Sequence, residues 1–249
     1  MRKIKGLRAI YEPKGAAREY GALAVNLFNG CTCGCRYCYV PRMPGFPSRE
    51  VFRAAATLRR PDILDLIERD AVALQAQGNT EPVFLCFTCD PCERGMVHIT
   101  ADAVFQLTRR GQRVHLLTKR PSALLPHFPE TLDRLKSSGS TLGVTLTLLD
   151  RWKAWEPGAD NPLRRMTDLC LAHERGIRTM VSLEPVLDPA QALEIIRLTA
   201  LYVDHYGVGK PSGMTIPGVD WPAFRDQAEA LLQSLGKSYL IKKSLREAT

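Results

Sequence analysis

The sequence predicts an α/β fold on a mostly parallel sheet, and two patterns predict it. Six apolar stretches rich in β-branched residues alternate with longer stretches of helical period. Polar residues able to do chemistry fall just after the strands, where parallel sheets gather their sites. The expected strands are Leu23–Phe28, Val83–Phe87, Val114–Leu117, Leu142–Leu146, Thr179–Leu183 and Tyr202–Val208. Helices are expected over Ile63–Gln77, Ala101–Arg110, Pro121–Ser137, Pro162–Arg175, Pro189–Leu198 and finally Trp221–Leu235. Within Pro162–Arg175, spacing puts Leu163, Met166, Leu169 and Cys170 on an inner face, with Arg164, Arg165 and Asp168 facing elsewhere. Gly176 then stops that helix. No repeat, low-complexity tract or convincing linker breaks the pattern. Residues 1–249 read as one domain, with a short N-terminal extension (1–22), a core of about 23–210 and a C-terminal extension (211–249).

With 45% hydrophobic residues, 249 residues can bury one substantial core without disulfides. The basic start of the chain has no apolar signal core, and no apolar run approaches the ~18 residues of a membrane span. A cytoplasmic protein, with no membrane partner, is the expectation. The net charge of +8 attracts polyanions, nucleic acid first among them. Lysine and arginine are spread along the chain, so composition alone locates no groove.

Cysteine usage is the sharpest signal. Seven of the eight cysteines lie in two tight runs, 31–38 and 86–92, which suits metal or redox sites better than structural disulfides. In the first run Cys31, Cys35 and Cys38 have the spacing C-x3-C-x2-C on a loop flanked by Gly30 and containing Gly34. Three thiolates on a four-iron cluster leave one iron open, and an open position marks a reactive site. The amino and carboxylate groups of S-adenosylmethionine could chelate that iron, and electron transfer would then release a 5′-deoxyadenosyl radical. The competing reading is a structural zinc knuckle that also uses Cys33. Alternate-residue cysteines fit the usual paired zinc spacing poorly, which leaves Cys33 an unassigned thiol.

The second run is open to three readings. Cys86, Cys89 and Cys92 could form a second metal or cluster site. Cys86 or Cys89 could be a hydrogen-atom donor in the pocket. Cys86 could also be a small core residue, with the others incidental. One donor thiol and no second cluster is the favoured reading. Arg164 and Arg165 could hold a carboxylate bidentately. His98, His115, His127, His173 and His205 share no spacing and read as structural. The run Lys237–Arg246 reads equally as a phosphate contact or as an edge strand kept soluble by lysine.

The pattern C-x3-C-x-Tyr-C in Gly30–Tyr39 resembles the radical S-adenosylmethionine superfamily, and Asn26–Val40 with Phe84–Pro91 resembles its spore photoproduct lyase branch. The likeness implies a partial (β/α)6 TIM-like barrel, a [4Fe-4S] cluster, S-adenosyl-L-methionine, and an electron donor such as flavodoxin or ferredoxin. It places Tyr37 near the adenine, Thr88 and Asp90 at the methionine ammonium, and Lys119, Arg120, Thr145 and Thr147 where cofactor carboxylate and ribose lie. Glu156-Pro157 resembles a pair common in the branch. Glu184 marks the strand end that approaches the adenine. The activity implied is a lyase or isomerase acting on a nucleobase in DNA, by lesion repair or by rearrangement of a modified thymine. A radical enzyme on a peptide or small metabolite, and a zinc-binding nucleic-acid module, are the alternatives.

Overall fold

The computed structural model describes residues 6–248. In chain order the strands are β1 (Leu23–Val25), β2 (Phe28–Asn29), β3 (Thr57–Leu58), β4 (Val83–Leu85), β5 (Val114–Thr118), β6 (Thr141–Thr145), β7 (Arg178–Leu183), β8 (His205–Val208) and β9 (Ser238–Ile241). The helices are α1 (Arg49–Ala54), α2 (Ile63–Ala76), α3 (Val97–Thr108), α4 (Pro129–Ser137), α5 (Trp152–Trp155), α6 (Pro162–Glu174), α7 (Pro189–Thr199), α8 (Trp221–Ser234) and α9 (Lys243–Arg246). Seven parallel strands run β1-β4-β5-β6-β7-β8-β9 and form a half-barrel, as the expected partial barrel requires. β2 and β3 pair antiparallel in a separate two-stranded piece.

The six expected strands are all present: β1, β4 and β8 are shorter than expected, β6 is shifted by one residue, β5 and β7 are each one residue longer, and β9 is a seventh. The first is cut at Val25, because Phe28 pairs with Leu58 of β3 and leaves the main sheet. The region Pro121–Ser137 divides into a short 3-10 turn and α4, since Pro129 resets the helix start. β9 settles the reading of Lys237–Arg246 as an edge strand. Lys242 behind it is buried and lies near Glu19 and Glu184, so it is not a surface phosphate contact.

The helix starts follow from local chemistry. Asn161, Asp188 and Asp220 cap α6, α7 and α8 by accepting backbone N–H groups, each followed by proline at the first or second helical position. Gly176, at φ +81, ends α6 as expected. The inner face of α6 needs correction. Leu163 is 67% exposed and Cys170 half-buried, whereas Arg165 and Asp168 are buried with Met166 and Leu169. Arg165 tolerates burial because Glu156 neutralises it and the carbonyls of Asp160 and Thr145 accept its other N–H groups.

The core is apolar strand residues against one face of each helix, for example Val25, Leu85, Leu116 and Val144 with Ile67, Val104, Leu135 and Leu169. No helix among the described residues is long and apolar enough to cross a membrane. The segment before β1 lies along the barrel. Tyr11 bridges Ala24, and the backbone N–H groups of Arg8, Ala9 and Ile10 all donate to the buried carboxylate of Asp70 on α2.

Candidate active site

A cavity of about 680 Å³ opens at the C-terminal ends of the parallel strands, within the size range of small-molecule sites. Its walls include the loop after β1 (Cys31, Cys33, Cys35, Tyr37, Cys38), the turn after β4 (Cys86, Thr88, Cys89, Asp90) and the ends of β5 to β7 (Lys119, Thr145, Glu184). Most of the candidate residues from the sequence therefore converge here, but Cys92, Arg120, Thr147, Glu156, Arg164 and Arg165 do not line the cavity. Arg164 is half exposed on α6, bonded to Asp168 at 2.9 Å, and does not line the cavity. The helix turns it outward and buries Arg165 instead.

The cysteine loop is held by the chain on every side. Gly30 takes φ +83, and a Cβ there would overlap the Ala55 carbonyl, so glycine is required. The Cys31 amide donates to Phe52 at 2.8 Å, and the Arg36 amide to Trp155 at 2.8 Å. Gly158 donates to the Cys33 carbonyl at 3.0 Å, and any Cβ on it would overlap the Thr32 carbonyl. Below Thr32 lies a buried ion pair, Arg120 Nη1 to Glu93 Oε1 at 3.1 Å, with both side chains almost wholly inaccessible. Glu93 accepts from the Thr32 amide and hydroxyl, while Arg120 donates to Thr32 Oγ1 at 2.9 Å and to the Gly158 carbonyl at 2.8 Å. On the other side Tyr37 donates to Glu156, which pairs with Arg165 at 2.6 Å.

Two expected contacts are thereby reassigned. Asp90 has no acceptor capacity left for an ammonium. One oxygen accepts from Cys92 N at 2.9 Å and Thr118 Oγ1 at 2.6 Å, the other from Lys119 N at 2.8 Å and Cys33 Sγ at 3.5 Å. It joins the turn after β4 to the end of β5. Arg120 is turned to Glu93 and the loop, its Nε and Nη2 donating to Gly158 and Thr32 and its Nη1 paired with Glu93 by charge alone, without a hydrogen-bond partner. The hydroxyls of Thr88 and Thr147 are buried without a partner; only Thr88 lines the cavity, its amide fixed by Asn26 at 3.0 Å.

Electrostatics divide the thiols. A hydrogen bond from Cys33 lowers the pKa of Cys31 against the opposing effect of burial, and raises that of Cys33 well above the ordinary value. Burial pushes Cys35 up to about 12 and raises Cys38. Burial works against the Lys119 ammonium, but the acidic groups around it, Cys35 first and then Glu156, Cys33 and Asp90, outweigh burial and raise its pKa. Lys119 lies 5.7 Å from the Tyr37 ring centre. Cys89 is raised by burial and by its contact with Cys86. Among the described residues no three His, Cys, Asp or Glu side chains converge on a single-ion site.

No family model matches the sequence, and no curated protein matches it. Solved structures do. A cysteine variant of spore photoproduct lyase superposes with TM-score 0.70 at 14% identity, over 94% of this chain and 79% of that one. The fold is that of spore photoproduct lyase. Spore photoproduct lyase complexed with dinucleoside spore photoproduct matches with TM-score 0.61 at 16% identity, over 95% of this chain and 66% of that one. SuiB from Streptococcus suis, bound to S-adenosylmethionine, matches with TM-score 0.62 at 14% identity, over 87% and 49%. At these identities what is shared is the fold. The residues of the cavity must argue for chemistry themselves. Sequence reading missed Glu93 entirely, because a glutamate in a loop carries no mark of the arginine that will bury it.

Proposed function

We propose that this chain is a radical S-adenosylmethionine enzyme of lyase or isomerase type acting on a nucleobase in DNA. The observation that carries the reading is the convergence of Cys31, Cys35 and Cys38 on one cavity with the unpartnered hydroxyl of Thr88 and the ammonium of Lys119. These residues fit the groups that the fold implies. Three thiolates suit a cluster with one open iron, and two polar side chains with unspent capacity suit a ligand carrying an ammonium and a carboxylate. When bound, a [4Fe-4S] cluster and S-adenosylmethionine would supply one-electron cleavage of the sulfonium and a carbon radical able to abstract hydrogen.

The chain's own part is to bind, orient and keep water out. Thr88 Oγ1 would accept from the ammonium, and Lys119, kept charged by its surroundings, would donate to the carboxylate. Tyr37 and Thr145 wall the cofactor half, with Glu184 at the far strand end. Burial keeps Cys89 in the thiol form, which can return a hydrogen atom to a product radical, with Cys86 beside it. A DNA substrate is supported by the charge of +8 and by the dinucleoside ligand of a structural neighbour. A cytoplasmic setting with a flavodoxin- or ferredoxin-type donor follows from the same reading.

Anaerobic reconstitution should give about four irons per chain and, on reduction, 5′-deoxyadenosine from S-adenosylmethionine. Alanine at Cys31, Cys35 or Cys38 should abolish both, and Cys33→Ala should keep its iron. Loss of iron in Cys33→Ala with retention in Cys35→Ala would overturn the assignment.

A further inference from the structure

We infer that the arginine-rich rim from Arg36 to Arg59 is the surface that takes the nucleic-acid strand, with phosphates on its guanidiniums and a base against Tyr39. The inference rests on the DNA reading above and adds where the strand lies.

Residues 36–59 carry Arg36, Arg42, Arg49, Arg53 and Arg59 against a single acid, Glu50. That is five positive charges less one, or +4 of the chain's +8 in 24 residues. Among the described residues none of the five arginines lies within 4.0 Å of a carboxylate. Four are anchored at one nitrogen only: Arg42 to the Gly213 carbonyl, Arg49 to the Arg36 carbonyl, Arg53 to the Cys35 carbonyl and Arg59 to Asn29 Oδ1. Anchoring fixes each fork while leaving N–H groups free, the state in which guanidinium grips phosphate bidentately.

Position makes the patch more than a solvated face. The same segment gives Tyr37, Cys38, Tyr39, Val40, Met43 and Phe52 to the cavity wall; the arginines do not line it but alternate with these wall residues along the chain, and Arg53 bonds the carbonyl of the wall residue Cys35. Lys14 and Lys210 line the same cavity from other segments. Large apolar side chains are also exposed at this mouth, with Tyr39 43%, Met43 39% and Tyr11 36% accessible. The Tyr39 hydroxyl donates to the Phe87 carbonyl at 3.1 Å, which holds the ring as a fixed platform. A base leaving its stack for the cavity needs such a surface at the entrance.

The test is DNA binding over a salt series, with duplex and single strand, for the reconstituted full chain. The triple variant Arg36→Gln/Arg42→Gln/Arg59→Gln is compared with Arg113→Gln/Arg175→Gln/Arg178→Gln, which removes three exposed charges at the strand-start end. The rim triple should flatten the log–log salt slope by about 2.7 on duplex and about 2 on single strand. The opposite triple should leave the slope unchanged. The corresponding three Arg→Lys changes should restore it, which separates charge from misfolding. Tyr39→Ala should weaken single-strand binding about tenfold or more without altering the slope. If the wild type binds and the rim triple keeps its slope, or the opposite triple loses as much, the rim assignment falls while the DNA reading stands. If the wild type shows no salt-dependent DNA binding, or binds acidic peptide instead, both fall.

Discussion

Replacing Arg120 by methionine probes the device that holds the cysteine loop. The substitution keeps much of the aliphatic bulk but leaves Glu93, whose side chain is 2% accessible, without its cation. Thr32 Oγ1 and the Gly158 carbonyl lose their donors as well. At 3.1 Å and an effective dielectric near 20, the pair attracts by about 5 kcal/mol, set against several kcal/mol of desolvation per ion. Removing one partner forfeits the attraction and keeps the other ion's burial penalty, so the loss should be about 3–5 kcal/mol. Urea denaturation of the cluster-free protein reads this as a lower midpoint at constant slope. The double variant Glu93→Gln/Arg120→Met removes the stranded charge and should recover a good part of that loss. Iron retained per chain should fall in the single variant, because Thr32 lies between Cys31 and Cys33. A loss under about 1 kcal/mol, or two substitutions whose effects simply add, would refute the coupling argued here.

Thr88→Val removes a buried hydroxyl that has no partner in the protein. Stability should hold or rise by about 1 kcal/mol, while S-adenosylmethionine affinity by calorimetry should fall about tenfold; unchanged affinity removes Thr88 from the site. For His115, burial and then the field of His205 depress the pKa from 6.5 to about 4. The unfolded chain therefore takes up its proton first. Stability is full above pH 6.5 and declines towards pH 4 at up to about 1.4 kcal/mol per pH unit. His115→Gln should flatten that part of the stability profile, and an unchanged profile refutes the assignment.

The barrel was legible because parallel strands and their covering helices each carry their own period. The six strands and the order of helices follow from that, and the cavity follows from the strands' direction. What periodicity missed were residues whose burial depends on a distant partner. Arg165 looks like a solvated helix residue until Glu156, nine positions earlier, is brought under it. Asp90 looks like a ligand contact until four donors from three segments close on it. β9 was obscured by lysines, which mark an edge strand and a phosphate site alike. In the site, spacing picks out Cys31, Cys35 and Cys38, which lie on one loop in the cavity wall. It could not separate Arg164 from Arg165, where a difference of about 100° around the helix decides which is buried.

The two buried ion pairs also bear on how the loop meets its ligand. Glu93–Arg120 fixes Thr32 from below, and Glu156–Arg165 fixes Tyr37 from the side, so the 31–38 segment is gripped near both ends. Gly158 and Trp155 tie its backbone to the segment that carries Glu156. Neither pair involves a cysteine, and of the four thiols only Cys33 is committed to a carboxylate. The loop's shape is thus carried by the chain, unlike that of a zinc finger, where the metal supplies the folding free energy. A cluster held here, as the proposed function requires, would have less backbone entropy to remove, at about 1–2 kcal/mol for each residue already fixed. The same reasoning explains why charge is buried here at all. An apolar contact would stabilise the loop as well, but it would not fix the rotation of Thr32 and Tyr37 that sets where the neighbouring sulfurs stand.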